Sequence, residues 1–392
     1  MRPPPRRPPG RADALTPPDP PAPADTGTAA RRPPHRRHPT PEGQLTAARR
    51  ADRTVYLRSH PLLFALLAAT RHRPVLRLGR TVLVHHPDAY REVLTRVPLD
   101  RTAERTTGGT AARLTGGSLL FDQQGAEHRT ARRELTALLG PAGVAALRPV
   151  WERVLDRHLG GLDRPVDLVP AVRELAGATA AALTGSDAPP VRLALAAERA
   201  AAATARAHLP ALLPRPGGAR RARTAADRLS GLLPDPRDAM LAVAAVNTTL
   251  AALPRAVAWC ARERLWDLAR DDAPALAAEL LRRTAASPVL PRAAAADATV
   301  LGHRVRRGDR LLLVARHAAE AQHDTPTHPH AALAPFGLGP HTCPGAALAR
   351  AQLATLLGTL APHRPHALRT SPHPGSALPS YRTCVIGPPR PR

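Results

Sequence analysis

Ten residues near the C-terminal end carry the densest chemistry in the chain: Phe336-Gly337-Leu338-Gly339-Pro340-His341-Thr342-Cys343-Pro344-Gly345. Glycine lets a backbone approach a flat ligand closely and adopt positive φ, where a side chain would clash. An Ala/Leu-rich run of helical character follows, Ala346 to Leu360. Cys343 is therefore expected at the start of a helix, where unpaired N–H groups and the helix dipole favour a thiolate. A thiolate on one side of a heme iron, with the other side open, is the arrangement that prepares it for O–O cleavage. On its own Cys343 reads as a small buried hydrophobe; the surrounding loop is what points to a ligand.

Other candidate residues lie upstream. His128 and Arg132 are four apart in Glu127–Leu135 and share a helix face, where two donors suit an anion. Thr248 and Asn247 sit in an apolar run, Leu241 to Arg262, that reads as a helix buried on nearly all sides. Pro254 is expected to kink that helix. Glu279 and Arg282 are three apart, which alone is an ordinary helix ion pair of little worth. Pro288-Val289-Leu290-Pro291-Arg292 follows. His323, His328 and His330 lack Cys or acid support and read as a solvated loop rather than a metal site.

The loop resembles the heme-binding loop of the cytochrome P-450 family, FGxGxHxCxG, at every fixed position, Phe336 and Gly345 included. The resemblance covers roughly 45–392 in four ordered motifs, of which only the cysteine loop is specific by itself. It implies the cytochrome P-450 fold, mainly α with small β-sheets (α+β). It also implies heme b (iron protoporphyrin IX) ligated by Cys343, with His128, Arg132, Arg292 and His341 on the propionates. Glu279 and Arg282 resemble the family's ExxR scaffold, and Thr248 matches the alcohol of its central helix. The family's usual glycine and acid there are Ala245 and Asn247 in this chain. Asn247 hydrogen-bonds but cannot titrate, so the resemblance implies oxygen activation less well coupled than the family norm, or a reaction other than simple hydroxylation. The third partner of the Glu–Arg pair has no evident candidate, because the segment between Arg316 and Phe336 is short.

The activity implied is a monooxygenase acting on a hydrophobic small molecule in secondary metabolism. It uses O2 and electrons from NAD(P)H through a ferredoxin reductase and a ferredoxin. Two alternatives share the fold: a cross-linking or rearranging heme oxidase without oxygen insertion, and a non-catalytic helper protein.

The elements that must position these residues are legible in outline. Residues 1–44 are Pro/Arg-rich and read as disordered; 45–392 read as one heme domain. Helical text from Leu45 to Thr70 leads into a β-hairpin around Gly79-Arg80, then a helix from Asp88 to Leu94. Residues 101–117 read as a Thr/Gly-rich loop, 140–235 as Ala/Leu/Arg-rich helices, Ala293 to Val314 as short strands, and Tyr381 to Ile386 as a terminal strand.

The formal net charge is +25, yet the chain has no Lys; its 56 basic residues are all Arg, beside abundant Ala and Pro. That is a compositional bias. The arginines are spread along the chain, with only three each of Trp, Tyr and Phe for base stacking, so the footprint of a nucleic-acid binder is missing. Cys260, Cys343 and Cys384 form no disulfide framework, which fits a reduced compartment, and Cys260 and Cys384 read as packing residues. No apolar run is read as a membrane span or a secretory signal, so a cytoplasmic protein is expected.

Overall fold

The computed structural model describes residues 46–388, apart from 105, 107, 110–122, 124, 209–216 and 321–334. The segment 1–44, most of the loop 101–117, and His323, His328 and His330 lie outside the described residues.

The first helical stretch is two helices, α1 (Ala47–Ser59) and α2 (Pro61–Ala69), instead of one. Pro61 disfavours helical geometry at the preceding residue, and His60 accordingly sits at φ −144°, ψ 77°. The expected hairpin follows as β1 (Val75–Leu78) and β2 (Thr81–Val84), then α3 (Pro87–Arg96) and β3 (Leu99–Asp100). Next come α4 (Gly125–Leu139), α5 (Pro141–Leu159), a two-residue strand β4 (Val166–Asp167), α6 (Leu168–Thr184), α7 (Pro190–His208) and α8 (Gly218–Ser230). The long helix α9 (Ala239–Glu263) precedes α10 (Trp266–Asp271) and α11 (Ala273–Thr284), whose first turn is capped by the Asp272 carboxylate accepting from Ala275 N at 2.9 Å. The strands expected over Ala293–Val314 are β5 (Leu290–Ala294), β6 (Ala298–Val300), β7 (His303–Val305) and β8 (Arg310–Leu313). Helix α12 (Ala315–Glu320), helix α13 (Ala346–Leu360) and the strands β9 (His366–Pro372) and β10 (Tyr381–Gly387) complete the described chain.

One sheet has the order β1-β2-β8-β5-β3, with β2 and β8 parallel and the other pairs antiparallel. Val82-Leu83-Val84 and Leu311-Leu312-Leu313 are all buried, as continuous apolar runs in central strands should be. A second sheet, β4-β10-β9, gives the short β4 a role the helical reading of 140–235 did not foresee. β6 and β7 form a separate hairpin.

Helix α9 is the core of the helical layer, and every residue from Leu250 to Ala261 is buried. The stretch Pro236–Glu263 is long and apolar enough to cross a membrane, which corrects the reading that no apolar run reaches that length. Most of its apolar window is buried inside the protein, as expected for a helix enclosed by its neighbours. The helix runs unbroken through Pro254. Cys260 and Cys384 are fully buried, and burial pushes both thiols up to about 12, so both are packing residues.

Candidate active site

A cavity of about 820 Å³ lies between α9, α7, β5 and the cysteine loop. Its wall is largely aliphatic, with Leu135, Ala200, Ala244, Ala245, Leu290 and Leu348 among the lining residues.

The loop is held in place by its own backbone. Cys343 N donates to Phe336 O at 2.8 Å, and Thr342 N and Oγ1 both donate to Gly339 O, at 3.1 and 2.7 Å. Gly337 and Gly339 take φ of 78° and 75°, which an L side chain rarely adopts. At Gly339 a Cβ would also lie 3.1 Å from Leu94 O, so the loop seats directly on α3. The Arg350 guanidinium stacks 5.1 Å from the Phe336 ring centroid, tying the loop to α13.

Cys343 is the exposed cysteine of the three, and it lines the cavity three residues before α13. The helix start does not by itself make a thiolate. Desolvation by the surrounding protein raises the thiol pKa above its ordinary value. The Gly345 N–H, donating to the sulfur, and the positive charges of Arg132 and Arg350 pull the other way but lose. Thiolate formation is thus left to a metal or another charge in the cavity.

A cationic wall faces this sulfur from one side. The His128 and His341 rings lie with centroids 4.1 Å apart, tilted by 46°. Arg132 donates from Nη1 to Thr342 O, fastening α4 to the cysteine loop. Arg292 enters from β5, and Arg101, which the sequence reading missed, from the residue after β3; both line the cavity. Burial, then Arg101, His128, Arg292 and Arg132, hold His341 down to about 3. Burial and neighbouring arginines lower His128 as well. Arg101 is brought down to about 10 by burial and by Arg292.

Every charge acting on His341 is positive. His128 Nε2, His341 Nδ1, Arg101 Nε and Arg292 Nε are buried without hydrogen-bond partners. A buried, uncompensated cluster of this sign needs an anion. A flat metal-bearing group with carboxylates along one edge fits both the cluster and the cysteine sulfur, as heme does.

On the α9 side of the cavity, the Thr248 hydroxyl donates to Ala244 O at 2.7 Å. Asn247 also lines the cavity, but its amide donates to Val243 O at 2.9 Å and to Ala197 O on α7 at 3.4 Å. It therefore pins α9 to α7.

Glu279 and Arg282 form a bidentate pair, Nε–Oε2 2.8 Å and Nη2–Oε1 2.6 Å, and Arg283 Nε adds a third contact to Glu279 Oε1 at 2.5 Å. Arg282 Nη1 also donates to Ala319 O on α12 at 2.7 Å; residues 321–334, in the segment where a third side-chain partner was sought, lie outside the described residues. A carbonyl partner leaves no side-chain signature, and so could not have been found from residue types.

Comparison with known proteins places this geometry. No protein-family model matches the chain, and no curated protein does. Several solved structures match over nearly their whole length. A mutant of P450 EryK in complex with erythromycin B is 18% identical, with TM-score 0.65, covering 85% of this chain and 98% of its own. CYP109E1 from Bacillus megaterium in complex with testosterone gives the same four values. P450BioI in complex with an acyl carrier protein ligated to hexadec-9Z-enoic acid is 17% identical, with TM-score 0.65, covering 82% and 97%. Identity this low speaks for architecture alone, and that architecture is the cytochrome P450 fold.

Proposed function

We propose that this chain is a heme-thiolate monooxygenase that oxidises a hydrophobic small molecule. The observation that carries this reading is the joint placement of Cys343 and an uncompensated cationic cluster on one cavity in the cytochrome P450 fold. Residues 45–392 form the heme domain.

Heme b, when bound, supplies reductive activation of O2 and oxygen transfer to a C–H bond. The protein's own residues do the rest. Cys343 Sγ would hold the iron as a thiolate, its charge shared with the Gly345 N–H. His128, Arg132, Arg292 and His341 would hold the group's carboxylates through charge-assisted hydrogen bonds. Phe336, Gly337 and Gly339 bring the loop close enough for that ligation.

On the α9 wall of the cavity the Thr248 Oγ1 proton is committed to Ala244 O, so the oxygen is presented as an acceptor for a proton from water. Asn247 cannot titrate and is occupied in holding α7. The aliphatic wall binds an uncharged, bulky substrate and excludes water around it. Electrons come from NAD(P)H through a ferredoxin reductase and a ferredoxin, and the compartment is the cytoplasm.

The test is the carbon-monoxide difference spectrum of the reduced protein. A strongly red-shifted Soret band is expected for the wild type and is lost in Cys343→Ser. A colourless protein after expression with ample heme, or an unchanged band in Cys343→Ser, overturns the reading. The missing acid at Asn247 favours a second reading, a cross-linking or rearranging heme oxidase in the same fold. Product analysis under isotopically labelled O2 separates the two, because only a monooxygenase leaves the label in the product. The same assay tests coupling: hydrogen peroxide released per product falls in Asn247→Asp if proton supply limits the native enzyme, and is unchanged if it does not.

A further inference from the structure

Helix α9 walls the cavity along most of its length, and one carboxylate stands at its start. Asp238 lines the cavity from the position just before the helix, as Thr248 does from its middle. At a rise of about 1.5 Å per residue, the two are roughly 15 Å apart along the helix axis.

An aspartate at a helix N-cap ordinarily accepts from the first free N–H groups. Asp238 occupies that position and makes no such bond. The turn of 3-10 helix over Pro236–Asp238 runs straight into α9, so Asp238 keeps helical φ and ψ of −75° and −5° and its side chain is left out of the helix end. Its neighbour does not claim it either. The Arg237 guanidinium is folded back onto Asp235, with Nε–Oδ2 at 2.9 Å and Nη2–Oδ2 at 2.6 Å.

Among the described residues no hydrogen bond or ion pair reaches the Asp238 carboxylate. Burial, then the Asp235 charge, raise its pKa, and Arg237 does not offset them. The other carboxylates on the cavity differ. Asp100 accepts from Thr102 and Ala103, and Glu134 is exposed on α4. Asp238 is half-buried, so a ligand can reach it. An unspent acceptor beside an aliphatic wall calls for a donor on the ligand. The formal charge of +25 opposes the approach of a cation, which favours an uncharged donor.

We propose that Asp238 is a specificity-determining residue. It accepts a hydrogen bond from a hydroxyl at the far end of an otherwise apolar substrate, roughly 15 Å from the carbon oxidised beside Thr248. This rests on the heme-thiolate reading above. The aliphatic wall gives affinity without direction, and Asp238 decides which end of the substrate is presented for oxidation.

The experiment uses holoprotein and probes whose imidazole nitrogen ligates the heme iron, so that the Soret shift reports Kd without turnover. The probes are N-dodecylimidazole, its ω-hydroxy and ω-amino derivatives, and N-hexylimidazole with its ω-hydroxy derivative. The dodecyl chain is long enough to reach Asp238 from the iron, and the hexyl chain is not. In the wild type the ω-hydroxyl is expected to tighten the dodecyl probe roughly tenfold and to leave the hexyl pair equal. Asp238→Leu loses the hydroxyl advantage while binding plain N-dodecylimidazole at least as tightly as the wild type. Asp238→Asn keeps an acceptor without the charge and falls between.

No hydroxyl advantage in the wild type, or an advantage that persists in Asp238→Leu, overturns the assignment of Asp238 alone. A larger gain from the ω-ammonium than from the ω-hydroxyl overturns the choice of an uncharged donor. A wild-type protein that takes up no heme overturns the functional reading and this inference with it.

Discussion

Cys343 sits between opposed influences, and its neighbours set their balance. Burial raises the thiol, while Gly345 N–H, Arg132 and Arg350 stabilise its anion. Pro344 offers no N–H, so the sulfur has one donor fewer than a loop with any other residue there. Less hydrogen bonding leaves more charge on the ligand and lowers the iron potential. Pro344→Leu is therefore expected to raise the midpoint in spectroelectrochemistry, and an unmoved midpoint defeats the idea. Asn247 gives a second prediction at this scale. Its amide supplies hydrogen to Val243 O and Ala197 O; an aspartate supplies none and sets a charge against both carbonyls. Asn247→Asp should cost about 1–3 kcal/mol, read as a lower urea midpoint with an unchanged slope.

At the scale of elements, a buried polar network fastens α1 to α9 and α12. Arg255 on α9 donates to Asp52 Oδ1 at 2.7 and 2.8 Å and also reaches the Tyr56 hydroxyl. Tyr56 OH donates to Thr284 O at 2.6 Å, and the Arg316 guanidinium lies 3.6 Å from the Tyr56 ring centroid. Asp52 is 3% exposed and Arg255 2%, so neither charge has water to fall back on. Asp52→Ala should cost about 3–5 kcal/mol by leaving Arg255 uncompensated, measured by urea unfolding; a loss below about 1 kcal/mol would refute the buried pairing.

His85, between β2 and α3, meets His317 of α12 with Nδ1···Nδ1 at 2.9 Å. That contact needs one ring to donate and the other to accept, and burial holds both pKa values well below the ordinary histidine range. Below about pH 6.5 the unfolded chain binds protons that the folded pair refuses. Stability therefore falls as pH drops through that window, by at most about 1.4 kcal/mol per pH unit for each histidine. Between pH 6.5 and 4, His85→Gln/His317→Gln should flatten the dependence of the melting temperature on pH; an unaltered slope argues against it.

For the whole molecule the dominant quantity is a formal charge of +25. Self-repulsion on that scale works against the compact state. Screening at about 0.15 M ionic strength shortens its reach to roughly 8 Å. The melting temperature is thus expected to rise from low salt to that ionic strength, and a fall would show that attractive surface pairs outweigh the net repulsion. Under the heme reading proposed above, part of the excess has a local use, in binding carboxylates from outside the chain.

Local features were readable from residue order. The two glycines at positive φ, the helix Ala346–Leu360 after them, the hairpin at Gly79 and the all-round apolar helix through Val246 depend on turn chemistry and short-range periodicity, which neighbours along the chain determine. What pairs with what was not readable. Among 56 arginines nothing marks Arg101 as the one opposite Arg292, or Arg255 as the one buried on Asp52, because each pairing depends on strand register and helix packing across long sequence separations. One partner of Arg282, Ala319 O, is a backbone carbonyl and leaves no residue type to find. The balance acting on the Cys343 thiol likewise depends on tertiary structure, since the helix start that favours a thiolate is local while the desolvation that opposes it is assembled from distant parts of the chain.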